Sequence, residues 1–274
     1  MQSSLKRWTL VVLRVLVVAY AGICLFLYLR QDALLYPAHL TRMPVEQTNF
    51  ALDRGGIVLR GWRFNPGQGR ALLYFGGNAE RVEDAARMLA GELPGTSVHA
   101  LGYRGYGASD GVPDEQALVA DAFALFDEVR AEQPDRPIAV IGRSLGSGVA
   151  SQLAAKRPVE RLALVTPFDS LATMAQSMYP FLPVRWLLRD HYDSVGHLAG
   201  YRGPLLVVRA GRDRVIPPAS TDRLIASLPD DVLVVNLASS DHNDIDADPR
   251  YLVALADFLE PDPAPSARRR TSTQ

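Results

Sequence analysis

Between Pro137 and Ala150 the chain reads PIAVIGRSLGSGVA: an apolar run, a Gly-x-Ser-x-Gly and a helix-forming run in direct succession. Ile138 to Ile141 are apolar without alternation, the pattern of a strand buried on both faces of a parallel sheet. From Leu145 the apolar residues Leu145, Val149, Leu153 and Ala154 take the spacing of one helix face, and the pattern stops before Pro158. Ser144 therefore stands on a strand-to-helix turn. So tight a turn strains its backbone, and Gly142 and Gly146 remove the side chains that would collide on either side. The helix beyond aims unpaired N–H groups and its positive end at the space above the hydroxyl, where a developing oxyanion is stabilised. With 21 glycines a Gly-x-Ser-x-Gly can also arise by accident, so the motif needs its partners elsewhere in the chain.

At 274 residues and 48% hydrophobic content, the chain suffices for one large α/β domain with a full core and a short appendage. A net charge of −1, from 29 basic and 30 acidic side chains, leaves no electrostatic footprint for nucleic acid. Cys24 is the sole cysteine, so no internal disulfide and no cysteine-based zinc site can form. It reads as lipid-facing filler, and Ile23 before it is a poor match for a lipoprotein attachment site. No His-x-Glu-x-x-His or carboxylate cluster marks a metal site, and the expected chemistry uses no cofactor.

Trp8 to Leu29 is apolar but for Arg14, a length suited to a membrane helix of about 20 residues. Arg14 lies near one end, where its stem can snorkel to the head groups. A cleaved signal peptide is the rival, but Ala19-x-Ala21 falls inside the apolar run and Gln31-Asp32-Ala33 is no cleavage site. The expected organisation is an uncleaved anchor over 1–35, a domain over 36–259 and a disordered Pro-, Arg- and Ser-rich tail over 260–274. Lys6, Arg7 and Arg14 favour a cytoplasmic N-terminus, with the domain on the opposite, periplasmic side in a bacterium.

Within that domain, Gln47–Leu52 and Ile57–Phe64 flank Arg54-Gly55-Gly56 as a hairpin, and Arg70–Phe75 is a buried strand. It runs into Gly76-Gly77-Asn78, ahead of a helix over 80–90. A backbone N–H of this loop is placed to complete an oxyanion hole, Asn78 first and Gly77 in reserve; a plain tight turn is the alternative. Ser97–Leu101 is a strand, 102–111 a glycine-rich loop without the Gly-Lys-Ser/Thr of a phosphate cradle, and Asp114–Glu132 a helix. Strands follow at Leu162–Val165, Pro204–Arg209 and Val232–Leu237, and a helix closes the domain over Pro249–Leu259. The apolar, aromatic stretch Thr173–Leu198, broken by Pro180 and Pro183, reads as a small lid over about 170–198 that favours acyl substrates, or as helix that merely packs on the domain.

A serine hydroxyl needs a base to become a nucleophile. Of five histidines, His39 adjoins the apolar leader, His99 lies in a strand, and His191 and His197 precede the loop at Asp213. His242 alone follows it, which gives the order Ser144, Asp213, His242. Asp241, Asp244, Asp169, Asp190 and Asp193 remain rival acids.

The motifs YFGGNAE, GYRGYGASDG, GRSLGSGVA, AGRDRVIP and SSDHND fall in one order along the chain. Together they resemble the α/β-hydrolase superfamily, and most closely its branch of membrane-anchored serine hydrolases with a short lid, over about Tyr36 to Leu259. The resemblance implies a mostly parallel sheet with helices on both faces. It implies Ser144 as nucleophile, Asp213 as acid, His242 as base, and the N–H groups of Asn78 and Leu145 as oxyanion donors. The family's usual His-Gly-Asn is here Gly76-Gly77-Asn78, so one anchoring side chain is missing. The implied substrates are acyl esters, thioesters or lysophospholipids; a peptidase with the same triad and a catalytically idle binding protein are the alternatives.

Overall fold

The computed structural model of the protein describes residues 2–260, with side chains from Leu5 onward. The tail expected over 261–274 lies outside the described residues. The strands are β1 (Phe50–Asp53), β2 (Val58–Phe64), β3 (Arg70–Phe75), β4 (Thr96–Leu101), β5 (Ile138–Arg143), β6 (Leu162–Val165), β7 (Leu205–Ala210) and β8 (Leu233–Leu237). They form one sheet in the order β1-β2-β4-β3-β5-β6-β7-β8. The β1–β2 and β2–β4 pairs are antiparallel, and every later pair is parallel. Gly55 and Gly56, at φ 71° and 94°, turn the β1–β2 hairpin where the sequence predicts it.

The helices are α1 (Gln2–Leu35), α2 (Val82–Glu92), α3 (Glu115–Glu132), α4 (Leu145–Ala154), α5 (Leu171–Met178), α6 (Val184–Leu187), α7 (Ser194–Leu198), α8 (Pro218–Ala226) and α9 (Pro249–Leu259). Alternate residues of each buried strand serve opposite faces. Leu73, Val140 and Leu164 join one core with α3, α4, α7 and α8, whereas Leu72, Tyr74, Ile141 and Val165 join the other with α2 and α9. That two-faced burial is why these strands read as unbroken apolar runs. Asp114 caps α3 by accepting from the Ala117 N–H at 2.7 Å, which starts that helix one residue later than its sequence pattern. The stretch expected as a lid contains α5, α6 and α7, all between β6 and β7, so it leaves the sheet from the carboxyl ends of the strands, where ligands bind in open α/β sheets.

Helix α1 stands apart from both cores. Trp8, Leu16, Val18, Phe26 and Leu29 are all exposed, and only from Gln31 onward does the chain bury side chains against the domain. It is the one helix among the described residues long and apolar enough to cross a membrane.

Candidate active site

The turn after β5 takes the form its glycines require. Ser144 adopts φ 52°, ψ −119°, a region that costs a non-glycine residue on the order of 1–3 kcal/mol. Main chain holds it there. A Cβ on Gly142 would lie 2.4 Å from the Gly146 carbonyl oxygen, and one on Gly146 would lie 2.0 Å from that of Phe75. The Ser144 N–H donates to Val165 O at 2.9 Å, and its carbonyl accepts from the Ser147 N–H at 2.9 Å and the Ser147 hydroxyl at 2.6 Å. Sheet and helix thus clamp the turn from both sides.

Loops at the carboxyl ends of β7 and β8 bring the other two candidates to this hydroxyl. Ser144 Oγ lies 3.0 Å from His242 Nε2, and His242 Nδ1 lies 2.8 Å from Asp213 Oδ2. All three side chains are buried. A carboxylate only accepts, so Nδ1 carries the proton and Nε2 keeps a lone pair for the serine O–H. Asp213 Oδ1 accepts from the N–H groups of Val215 at 2.9 Å and Ile216 at 2.7 Å, which fixes the carboxylate.

The rival acids have other partners. Asp241 pairs with Arg214 and meets only the backbone N–H of His242, and Asp244 accepts from the Asp241 N–H. Asp169 bonds Ser220 and Arg223, Asp190 accepts from the Tyr36 hydroxyl, and Asp193 caps α7. His99 is buried in β4 against Ser97, 3.0 Å away, and burial together with the Arg63 charge lowers its imidazole to about 4.

The loop after β3 faces the serine: a Cβ on Gly77 would lie 3.3 Å from Ser144 Cβ. Its two candidate donors differ. The Gly77 N–H is given to Glu80 Oε2 at 2.5 Å, whereas the Asn78 N–H has no partner among the described residues. The Asn78 side chain is held on both sides, accepting from the Tyr106 hydroxyl at 2.6 Å and donating to the Leu35 carbonyl at the end of α1. Leu145 begins α4, so its N–H lies in the first turn, where no intrahelical partner exists.

Three residues that sequence reasoning missed support this loop. Glu80 also accepts from the Tyr74 hydroxyl at 2.5 Å and lies 3.4 Å from Arg143 Nη1. Arg143, the variable residue of Gly-x-Ser, donates from Nη2 to the His242 carbonyl at 3.1 Å, tying the Gly76–Glu80 loop to the histidine loop. Burial and the Glu80 charge raise Tyr74 well above the ordinary tyrosine value, so it remains a donor. Burial alone would lower the Arg143 guanidinium, and Glu80 beside it raises it instead, so it stays charged. The one signal in the sequence was Glu80's place three residues after Gly77, the reach of a side chain returning to a loop N–H. The arrangement sets a hydroxyl beside an imidazole that a carboxylate orients, with the Gly77 backbone close to the serine and the Leu145 N–H in the first turn of α4.

Known proteins similar to this chain in sequence or fold are numerous. The Hydrolase_4 family model, described as serine aminopeptidase S33, matches residues 75–195, which include the Gly76–Asn78 loop and the Ser144 turn. The uncharacterised protein Rv2307c of Mycobacterium tuberculosis is 35% identical over 255 residues, 88% of this chain and 91% of that one. Lysophosphatidylserine lipase ABHD12 of Rattus norvegicus is 32% identical over 167 residues, 53% of this chain and 42% of its own. Among solved structures, the esterase Pf2001 of Pyrococcus furiosus superposes with a TM-score of 0.64 at 18% identity, over 81% of this chain and 92% of that one. An α/β hydrolase of Vibrio vulnificus gives 0.63 at 22% identity, over 76% and 80%. Sheet order, the turn at Ser144 and these likenesses agree, and the chain belongs to the α/β-hydrolase superfamily.

Proposed function

We propose that the protein is a membrane-anchored serine hydrolase that cleaves carboxylic esters of acyl or lipid-like compounds through an acyl-enzyme at Ser144. The observation that carries this reading is the unbroken run of hydrogen bonds from Ser144 Oγ through the His242 ring to Asp213. Ser144 Oγ attacks the ester carbonyl while His242 Nε2 takes its proton, and Asp213 holds the ring's tautomer and stabilises the imidazolium. The N–H groups of Leu145 and Asn78 meet the oxyanion. His242 then hands the proton to the departing alcohol, and water, activated by the same ring, releases the acid and restores Ser144.

Two observations favour amphiphilic acyl substrates. The insertion after β6 is apolar and aromatic, and relatives named for an activity include lysophosphatidylserine lipases. In this reading residues 1–35 span the membrane, Lys6, Arg7 and Arg14 keep the N-terminus cytoplasmic, and residues 36–259, with the lid at about 170–198, work on the other side. The family model's description favours a second reading, a peptidase with the same three residues.

A fluorophosphonate probe is expected to label the intact protein at Ser144, and Ser144→Ala to hydrolyse short acyl esters at least ~1,000-fold more slowly. Absence of label, or wild-type turnover by the variant, sinks the proposal. Faster turnover of peptide amides than of esters moves the assignment to the peptidase.

A further inference from the structure

The apolar tip of the lid lies beside the apolar helix α1. The Tyr20 hydroxyl, on α1, donates to the Phe181 carbonyl at 2.7 Å, joining residues far apart in the chain. Nearer the domain, Gln31 donates to the Leu187 carbonyl at 3.1 Å and accepts from the Arg189 N–H at 2.8 Å, and Arg189 pairs with Asp32 at 2.6 Å. These contacts form a polar layer where α1 meets the body. From Gln31 back to Tyr20 the axis runs about 16 Å at ~1.5 Å per residue, about the depth of one leaflet of a ~30 Å hydrocarbon core.

We infer that residues 178–187 are a second membrane-embedded element, which enters the acyl-chain region of one leaflet alongside α1. The inference rests on the reading of α1 as a membrane span: a bilayer that receives the helix as far as the Arg30–Asp32 layer also receives what is bonded to Tyr20. The composition of the tip agrees. Phe181 and Trp186 are 89% and 87% exposed, with Met178 and Tyr179 exposed beside them. From Ser170 to Leu188 the only charge is Arg185, whose stem can lead its guanidinium toward head-group phosphates.

The backbone of the tip is prepared for a medium without water, where unsatisfied N–H and C=O groups are costly. Pro180 and Pro183 carry no N–H. Of the backbone N–H groups from Tyr179 to Leu188, only that of Phe181 lacks a partner among the described residues. The Gln176 amide serves the tip three times, donating to the carbonyls of Tyr179 at 3.3 Å and Leu182 at 2.8 Å and accepting from the Arg185 N–H at 3.5 Å. The partner is thus a lipid leaflet, and an amphiphile within it needs no passage through water to reach the lid.

Depth-dependent quenching tests this in the full-length chain. Cys24→Ser provides a background into which Phe181→Cys, Val17→Cys or Lys156→Cys is introduced singly, each labelled with nitrobenzoxadiazole. The proteins are reconstituted in phosphatidylcholine–phosphatidylglycerol vesicles carrying doxyl groups on the acyl chains. Labels at 181 and 17 are expected to be blue-shifted and quenched, and the label at 156, in the exposed turn after α4, unaffected. Quenching at 17 without quenching at 181 overturns the inference and leaves the anchor standing. No quenching at 17 overturns the anchor and the inference with it. As a second readout, Phe181→Ser with Trp186→Ser is expected to lower the rate on a vesicle-borne acyl amphiphile at least tenfold relative to the rate on a soluble short-chain ester; a ratio of the two rates unchanged from the wild type counts against the inference.

Discussion

The two loops that face each other across the reacting point are built by opposite means. The turn at Ser144 is held by main chain: strand β3 leaves no room for a side chain at Gly146, and Gly146 leaves none at Gly142. The loop from Gly76 to Asn78 is held by side chains: Glu80 takes the Gly77 N–H, and Tyr106 and the end of α1 grip Asn78. A steric lock permits few substitutions and no gradation. A set of hydrogen bonds can be loosened one at a time, each worth about 1 kcal/mol net. The position of Ser144, the proposed nucleophile, is therefore all or nothing, and that of the proposed oxyanion donor adjustable.

Gly146→Ala strikes the lock directly and carries the largest expected effect. Its Cβ would meet the Phe75 carbonyl carbon at 2.6 Å as well as the oxygen, and both are backbone of a central strand. Overpacking usually costs about 1–3 kcal/mol where side chains can yield. Here they cannot, so a loss above ~4 kcal/mol in urea unfolding is expected, with no labelling by fluorophosphonate. Wild-type stability in this variant would break the comparison at its stronger end.

This contrast also accounts for what could be read in the sequence. Steric locks write glycines at fixed offsets, and two-faced burial writes apolar runs, so β3, β5, β6 and the turn at Ser144 were legible. Chain order singled out Asp213 and His242, the pair that stands hydrogen-bonded behind Ser144. Hydrogen bonds between distant side chains leave no period, so nothing in the sequence marked Arg143, and the grip of Leu35 and Tyr106 on Asn78 was invisible. Helix α8 was missed for a related reason. Pro218–Ala226 offers only Leu224 and Ile225 as large apolar residues, too few for a 3.6-residue stripe, and its start is fixed by Pro218 in the first turn.

Glu80→Gln probes the side-chain end. The neutral amide has one acceptor for three partners, and it leaves the Arg143 guanidinium, with its side chain 15% exposed, without its counter-charge. Removing one member of a largely buried pair is expected to cost about 3 kcal/mol in unfolding free energy. Because Arg143 also holds the His242 carbonyl, kcat on a short ester is expected to fall on the order of tenfold, with KM little changed. If KM rises and kcat holds, Glu80 shapes the binding of substrate and does not position the donor loop.

The finest test asks whether the Asn78 donor is its backbone or its side chain. Tyr106→Phe removes only the hydroxyl that donates to Asn78 Oδ1, and the ring keeps its edge-to-face contact with Tyr103 at 5.9 Å. Asn78→Ala removes the side chain entirely but keeps the N–H. If the N–H is the donor, both variants merely loosen the loop. Tyr106→Phe should then lose about fivefold in kcat, equivalent to ~1 kcal/mol, Asn78→Ala somewhat more because it also frees the Leu35 carbonyl, and the double variant no more than Asn78→Ala alone. If instead the carboxamide meets the oxyanion, Asn78→Ala alone should cost on the order of 100-fold, the usual toll for a lost oxyanion donor, while Tyr106→Phe stays mild. The ratio of the two single variants therefore decides between them, and a gap of only a few fold, far short of ~100-fold, is the expected result because both polar atoms of the carboxamide are already engaged, one by Tyr106 and one by Leu35.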